Sequence, residues 1–419
     1  MNHQTLFRTV DLHRGATAAR LLLVLAATVS AVLAQTNAQW RGSSRDGIYP
    51  GEGLASSWPQ GGPPLVMTID GLGAGHSSPA VTNDRIFITG KDIDNTGYLH
   101  AFDHSGKRLW KRAYGPEWSS SYPGARSSPT VAGDRIYLVS GQGRVVCLET
   151  ATGKEVWSVD MVSSFGARMP TWGFNESVLL AGDRIICTPG GPQVSVAALD
   201  RAKGKTIWKS AGSPEGSAYC SPLLVHHGGR DIVVTMLAGS IRGFDLADGK
   251  LLWSEPHPTD HGVNANTPIY HNGTIIYSSG YGEGTAALKL SVDGRSATKL
   301  WSNSQLDSQM GGIVVLGNLL FGPSHRSPGF HALDVTSGTT RYSSTVFGRG
   351  VVIAAADLLY VYNDRGTVSL VKPEADDFTV AGTLSITGGS GQHWPHPVIA
   401  GTRLYVRRGS ALMVYAIGK

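Results

Sequence analysis

The chain has 419 residues, with 54 Gly, ten Trp, 16% charged residues and a formal charge of +5. Average proteins hold about 7% Gly and about 25% charged residues, and disorder needs high charge with low hydrophobicity, so this composition excludes a disordered chain. The Gly residues follow no three-residue period, no heptad run survives between them and no run of five basic residues occurs, which excludes collagen, long coiled coils and an electrostatic footprint for nucleic acid.

The first element in chain order is a leader. Arg8, Arg14 and Arg20 precede an apolar run, Leu21 to Leu33, broken only by Thr28 and Ser30. That run is too short to cross a bilayer comfortably, and Ala34 offers a small-residue cleavage point, with Ala38 as the alternative. Residues 1–34 therefore read as a signal peptide, with an uncleaved anchor as the competing reading. The mature chain then carries +3, has no membrane span, and lies in the periplasm or outside the cell. No Cys ends the apolar run, so no lipid anchor is indicated. Residues 35–62 read as an extension and residues 63–419 as one repeat domain.

The extension ends near Pro64–Ile69, a strand with no blade of its own. A repeat follows: an apolar residue, an acid, a turn with Gly-Lys, then Trp. Its copies are Ala101-Phe102-Asp103 with Trp110, Cys147-Leu148-Glu149 with Trp157, Ala198-Leu199-Asp200 with Trp208, and Gly243-Phe244-Asp245 with Trp253. A stretched copy ends at Trp301, and an eroded one carries Tyr342 where Trp is expected. A second element alternates with it: Ser77-Ser78-Pro79, Ser127-Ser128-Pro129, and weaker versions at Ser177, Ser221, Thr267, Gly311, Gly350 and His396. Alternating, β-branched runs such as Arg135–Val139 predict strands, and the Asp/Gly links predict turns. Units of 40 to 50 residues with four short strands predict propeller blades.

The expected fold is all-β: an eight-bladed β-propeller of four-stranded blades. The last blade, ending at Lys419, lacks an outer strand, and Pro64–Ile69 is expected to supply it and close the ring. Cys147, Cys187 and Cys220 fall in or beside strands, without metal spacing; one disulfide with a leftover thiol stays open.

The Ala-x-Asp-x-x-x-Gly-Lys-x-x-Trp pattern, complete in Ala198–Trp208, resembles the docking motif of the pyrroloquinoline quinone (PQQ)-like, quinoprotein-type β-propeller repeat family. The resemblance covers roughly residues 39–419. Gln39-Trp40-Arg41-Gly42 with Arg45-Asp46-Gly47, Tyr122–Arg126, and Trp172-Gly173-Phe174 with Glu176 resemble a secreted bacterial, BamB-like subgroup. The family implies that the indoles of Trp110, Trp157, Trp208, Trp253 and Trp301 dock neighbouring blades and that the Asp caps the turn.

Residues just ahead of each inner strand are expected to meet at the funnel mouth. They are His76, Arg126, Trp172, Asn175, Glu176 and Tyr219, then Asn264, Asn266, Gln309, Arg349, His393, Trp394 and His396. A convergent polar ring in a concavity is the expected site. Trp172 and Trp394 suit stacking, Arg126 and Arg349 suit carboxylate or quinone oxygens, and Glu176, Arg126 and His393 are the catalytic candidates. The loop Pro256–His261 reads as an ordinary link.

The resemblance implies one function of PQQ-dependent dehydrogenation of alcohols or sugars, with Ca²⁺ held by Glu176 and Asn264 or Asn266 and Asp307 nearest to a base. Adjacent cysteines and a haem motif are missing for that role. The favoured function is a non-catalytic, monomeric scaffold that binds an envelope protein, a peptide or a glycan on its funnel face. A carbohydrate lyase is third, since only Glu176 among the mouth residues is a carboxylate.

Overall fold

A computed structural model describes Met1, residues 37–326 and residues 329–419, so the expected signal peptide lies outside the described residues. Inner and second strands such as Gly350–Ala355 and Ile86–Lys91 are buried at every residue, whereas outer strands such as Arg108–Pro116 expose most of theirs. Continuous burial is what a strand needs when neighbours cover both faces of its sheet. The described residues form eight such sheets, which are the blades of a β-propeller. One short helix, Met161–Phe165, lies between blades 2 and 3; Asp160 caps it and Gly166 ends it at φ 63°.

Blade 1 runs from Ala80 to Pro116 and blade 2 from Thr130 to Asp160. Blades 3 to 6 start at Leu179, Leu223, Ile269 and Val314, and blade 7 spans Gly350 to Ser385. Blade 8 has three strands of its own, Val398–Ala400, Arg403–Arg408 and Ala411–Ala416. Its fourth, Leu65–Ile69, pairs antiparallel with Ala411–Ala416 and closes the ring. Arg407 adds a polar clasp at the same seam: its buried guanidinium donates to Thr89 O at 2.7 Å and to Ser77 Oγ.

The docking motif acts between blades. Indole Nε1 of Trp110, Trp157, Trp208 and Trp301 donates to a carbonyl of the next blade, at 2.9 to 3.2 Å. Beneath each ring sits a glycine of that next blade. A Cβ on Gly153, Gly204, Gly249 or Gly338 would come within 2.4 to 2.7 Å of the indole. Tyr342, in the eroded copy, does similar work through its hydroxyl, which donates to Glu374 O at 2.9 Å. The acid caps its turn as expected: Asp200 Oδ1 accepts from the N–H groups of Ala202 and Lys203. Trp253 departs from the pattern, because its Nε1 is buried without a partner.

The extension runs through the axis of the ring. Asn37–Ala38 pairs with the inner strand of blade 2, and Ile48–Tyr49 lies parallel to that of blade 7. Between them, the Arg45 guanidinium donates to the carbonyls of Ser177 at 3.0 Å, Pro222 at 2.9 Å, and Val178. Arg41 donates to Ile313 O at 2.6 Å, to Val352 O at 3.3 Å and to His396 Nδ1 at 3.0 Å. Trp40 Nε1 donates to Thr267 Oγ1 at 2.9 Å. This one segment therefore touches blades 2 to 8. Buried backbone carbonyls need donors, and two guanidiniums supply them where no strand can.

Candidate funnel site

The segment ahead of each inner strand sets out the site by alternation. Its first residue faces the axis: His76, Arg126, Asn175, Tyr219, Ala265 and Met310 all line one cavity of about 300 Å³. Its second residue turns into its own blade. Ser127 Oγ accepts from Val139 N at 3.2 Å, and Glu176 accepts from Thr188 N at 2.8 and 3.1 Å. Asn266 Nδ2 donates to Ser278 O and Ser308 O at 2.9 and 2.7 Å. Its third residue ties blades together: Ser78 N donates to Ser128 Oγ, Ser128 N to Ser177 Oγ, and Ser177 N to Ser221 Oγ. Successive side chains of extended backbone point to opposite sides, so a shift of one position moves a residue out of the funnel.

The cavity brings together eight of the expected residues: His76, Arg126, Trp172, Asn175, Tyr219, Gln309, Trp394 and His396. Glu176, Asn264 and Asn266 are fully buried and do not line it. Arg349 lies beside a neighbouring pocket that shares Gln309 and Met310, and His393 is packed under Gly366 with Nδ1 bonded to Tyr362 OH. Sequence reasoning passed over Ala265 and Met310 and four aromatic contributors to this face. Trp40 is the axial floor, 4.5 Å from the His396 ring, and Tyr122 stands at the rim, 47% exposed. Tyr281 bonds Gln309 through its hydroxyl at 2.9 Å. His261, in the loop read as an ordinary link, packs edge-on against Trp172 at 5.9 Å. Position just ahead of each inner strand was the legible signal for the first-position residues; nothing local marks Tyr281.

The wall is aromatic. Trp394 lies 5.3 Å from His76 and 5.0 Å from Tyr122, at 33° and 54°, and Trp172 lies 6.2 Å from Tyr219 at 46°. Among the described residues, Arg126 is the one charged residue in the lining. Its Nη2 donates to Tyr122 O, while Nε is buried without a partner. Burial holds its guanidinium below the usual range, opposed by the charge of Glu117. Glu117 itself is buried, which pushes its carboxyl up to about 7, and it accepts from Tyr114 OH and the N–H groups of Trp118 and Gly141. His76 is lowered to about 3 by burial, with Arg126 adding to the effect, so its imidazole is neutral at pH 7. Its nitrogens approach the carbonyls of Tyr122 and Pro123 without forming a well-made hydrogen bond. His396, also lowered to about 3 by burial and Arg41, accepts from Arg41 at Nδ1 and so donates from Nε2 to Met310 O at 3.1 Å.

A quinone beside Ca²⁺ does not fit these residues. No Asp or Glu lines the cavity, and no group of three His, Cys, Asp or Glu among the described residues is arranged to hold a metal. Glu176 spends its carboxylate on Thr188, and Asp307 spends its own on the N–H groups of Gly282, His325 and Arg326. Asn266 keeps only Oδ1 without a partner. Cys147, Cys187 and Cys220 are free and buried, and burial raises each thiol above its ordinary value.

A family model described as outer membrane protein assembly factor BamB matches residues 95–344. The chain belongs to that family. Among its relatives, BamB of Burkholderia pseudomallei is 23% identical, over 63% of this chain and 64% of that protein. Quinoprotein alcohol dehydrogenase PedH of Pseudomonas putida is 27% identical over 35% of this chain and 26% of its own length. The chain thus spans about a quarter of the dehydrogenase and under two thirds of the BamB relative. The solved structure of BamB from Moraxella catarrhalis superposes with a TM-score of 0.62 at 14% identity, covering 84% of this chain and 99% of that one. At such identity the superposition establishes the propeller fold alone. No helix among the described residues of this BamB-family propeller is long and apolar enough to cross a membrane.

Proposed function

We propose that this BamB-family propeller is a non-catalytic binding protein of the bacterial envelope, and that its partner or ligand docks in the funnel. The observation that carries the reading is the division of labour at the funnel mouth. The expected metal ligands Glu176 and Asn266 turn into the blades, while an aromatic wall with one guanidinium and the imidazoles of His76 and His396 faces the cavity. Concave, mostly apolar sites with a few placed polar groups are built for recognition. The chain's relation to BamB proteins supports an envelope location at the level of the family.

The test is a titration of PQQ into residues 35–419, with and without Ca²⁺, followed by Trp fluorescence and by dye-linked oxidation of alcohols and sugars. The reading expects no Ca²⁺-dependent saturation and no dye reduction. Saturable, Ca²⁺-dependent quenching with substrate-dependent dye reduction would replace it with the dehydrogenase.

A further inference from the structure

The funnel carries three features that narrow its ligand. First, its charge is one-sided. No carboxylate lines the axial cavity beside Arg126, whose guanidinium is anchored by Nη2 on Tyr122 O. A guanidinium so placed calls for an anion with planar oxygens, such as a carboxylate. Second, its aromatic rings are tilted. No pair among Trp394, His76, Tyr122, Trp172 and Tyr219 makes a parallel slot for a flat aromatic ligand. Single aromatic faces beside side-chain amides, here Asn175 and Gln309, suit a pyranose, with an apolar CH face and hydroxyls at the edge. Third, the site is extended. A second cavity of about 370 Å³ shares His76 and Tyr122 with the axial one, and a third of about 380 Å³ shares Tyr219. The shared residues join the three cavities, and the third also carries Arg168 and Glu215, so the one-sided charge belongs to the axial cavity.

We propose that the funnel face binds an acidic oligosaccharide, a chain of pyranose rings bearing carboxylates, with Arg126 taking one carboxylate in the axial cavity. The proposal rests on the reading of the funnel as a binding site. Trp394 and Trp172 flank that carboxylate as platforms for sugar rings.

The experiment is calorimetric titration at physiological salt with four probes: tetragalacturonate, its methyl ester, a neutral galactose tetramer and tetraglutamate. The expected result is saturable binding of tetragalacturonate, roughly tenfold or more weaker binding of the ester, and no binding of tetraglutamate. R126Q lowers affinity for the acid by a similar factor and leaves the ester unchanged. R295Q, the same charge change at an exposed turn of blade 5 that lines none of these cavities, stays within about twofold. W394A weakens acid and ester alike. Equal affinity for acid and ester, or an R126Q variant that binds normally, overturns the proposal. So does tetraglutamate binding as tightly as the sugar acid, which marks a peptide site. If no sugar binds and PQQ with Ca²⁺ does, the binding-protein reading falls as well; if neither binds, only the acidic sugar is lost. Circular dichroism of each variant separates lost binding from lost folding.

Discussion

The rim and the axis of this propeller are held by opposite strategies. At the rim, four junctions repeat one indole, one carbonyl and one glycine, and each set joins only two neighbouring blades. At the axis, a single copy of Trp40-Arg41 with Arg45 reaches blades 2 to 8. Repeated contacts are individually modest and replaceable, as Tyr342 demonstrates by serving where Trp is missing. A single-copy contact has no substitute. The two regions also differ in electrostatics. Rim bonds are mostly neutral, whereas the axis buries two guanidiniums whose charge is compensated mainly by carbonyl dipoles.

The contrast predicts a graded series. Arg45→Ala removes the donor from three buried carbonyls and the partner of Gln39. Each buried group left unsatisfied costs about 1–3 kcal/mol, so urea unfolding is expected to lose about 3–5 kcal/mol. A loss below about 1 kcal/mol would show that the axial segment is dispensable. Arg45→Lys is expected to recover little, since one ammonium cannot replace the fork.

Gly204→Ala comes next. Gly204 has φ +69° and its Cβ would lie 2.6 Å from the Trp157 ring, whereas Gly182 has φ +62° and nothing within 4 Å. Backbone strain acts on both, at about 1–2 kcal/mol, and the clash adds about 1–3 kcal/mol to Gly204 alone. Equal losses in thermal melts would deny that the glycine is there for the indole.

Trp208→Phe and Trp253→Phe form a finer pair. Both rings are nearly buried, but only Trp208 donates, to Leu246 O at 2.9 Å. Trp208→Phe is expected to cost about 1 kcal/mol more. If the two match in urea titrations, the rim is held by apolar packing and its hydrogen bonds are incidental.

The smallest effect near neutrality is the pH dependence, and it has two signs. His396 is held at about 3 against an ordinary 6.5, so its contribution is present above pH 6.5 and is lost as pH falls toward 3. Glu176 is pushed up to about 7 from 4.5 by burial, so its contribution is full below pH 4.5 and is lost as pH rises through 7. Stability profiles of His396→Asn and Glu176→Gln are therefore expected to flatten on the acid and alkaline sides respectively. The His effect is about 1 kcal/mol or less from pH 7 to 6 and grows to about 1.4 kcal/mol per unit below. Parallel profiles for wild type and both variants would place the titrating groups elsewhere.

The rim was legible in the chain because a repeat declares itself: Trp, Gly and Asp at fixed offsets name the docking contacts, and a lone strand beside an incomplete last blade names the closure. Cys147, Cys187 and Cys220, in or beside strands, are buried as apolar residues, and all three are free, which removes the disulfide left open. The funnel was legible only as a neighbourhood. His76, Arg126 and Trp394 were found, but Glu176 and Asn266 stand one position out of phase, equivalent to Ser127 rather than to Arg126. The phase of a short extended segment is invisible until a hydrogen bond shows which side belongs to the blade. Trp40 and the arginines beside it carry no repeat, so nothing local says that they fill the axis.

The sequence by itself determined an eight-bladed ring, the docking contacts at its rim and the strand that closes it, because those follow from periodic spacing and local turn chemistry. Only the tertiary structure decided which residues face the funnel and what seals its floor. Those depend on contacts between segments hundreds of residues apart, such as Arg41 with Val352 and His396, which no local pattern encodes.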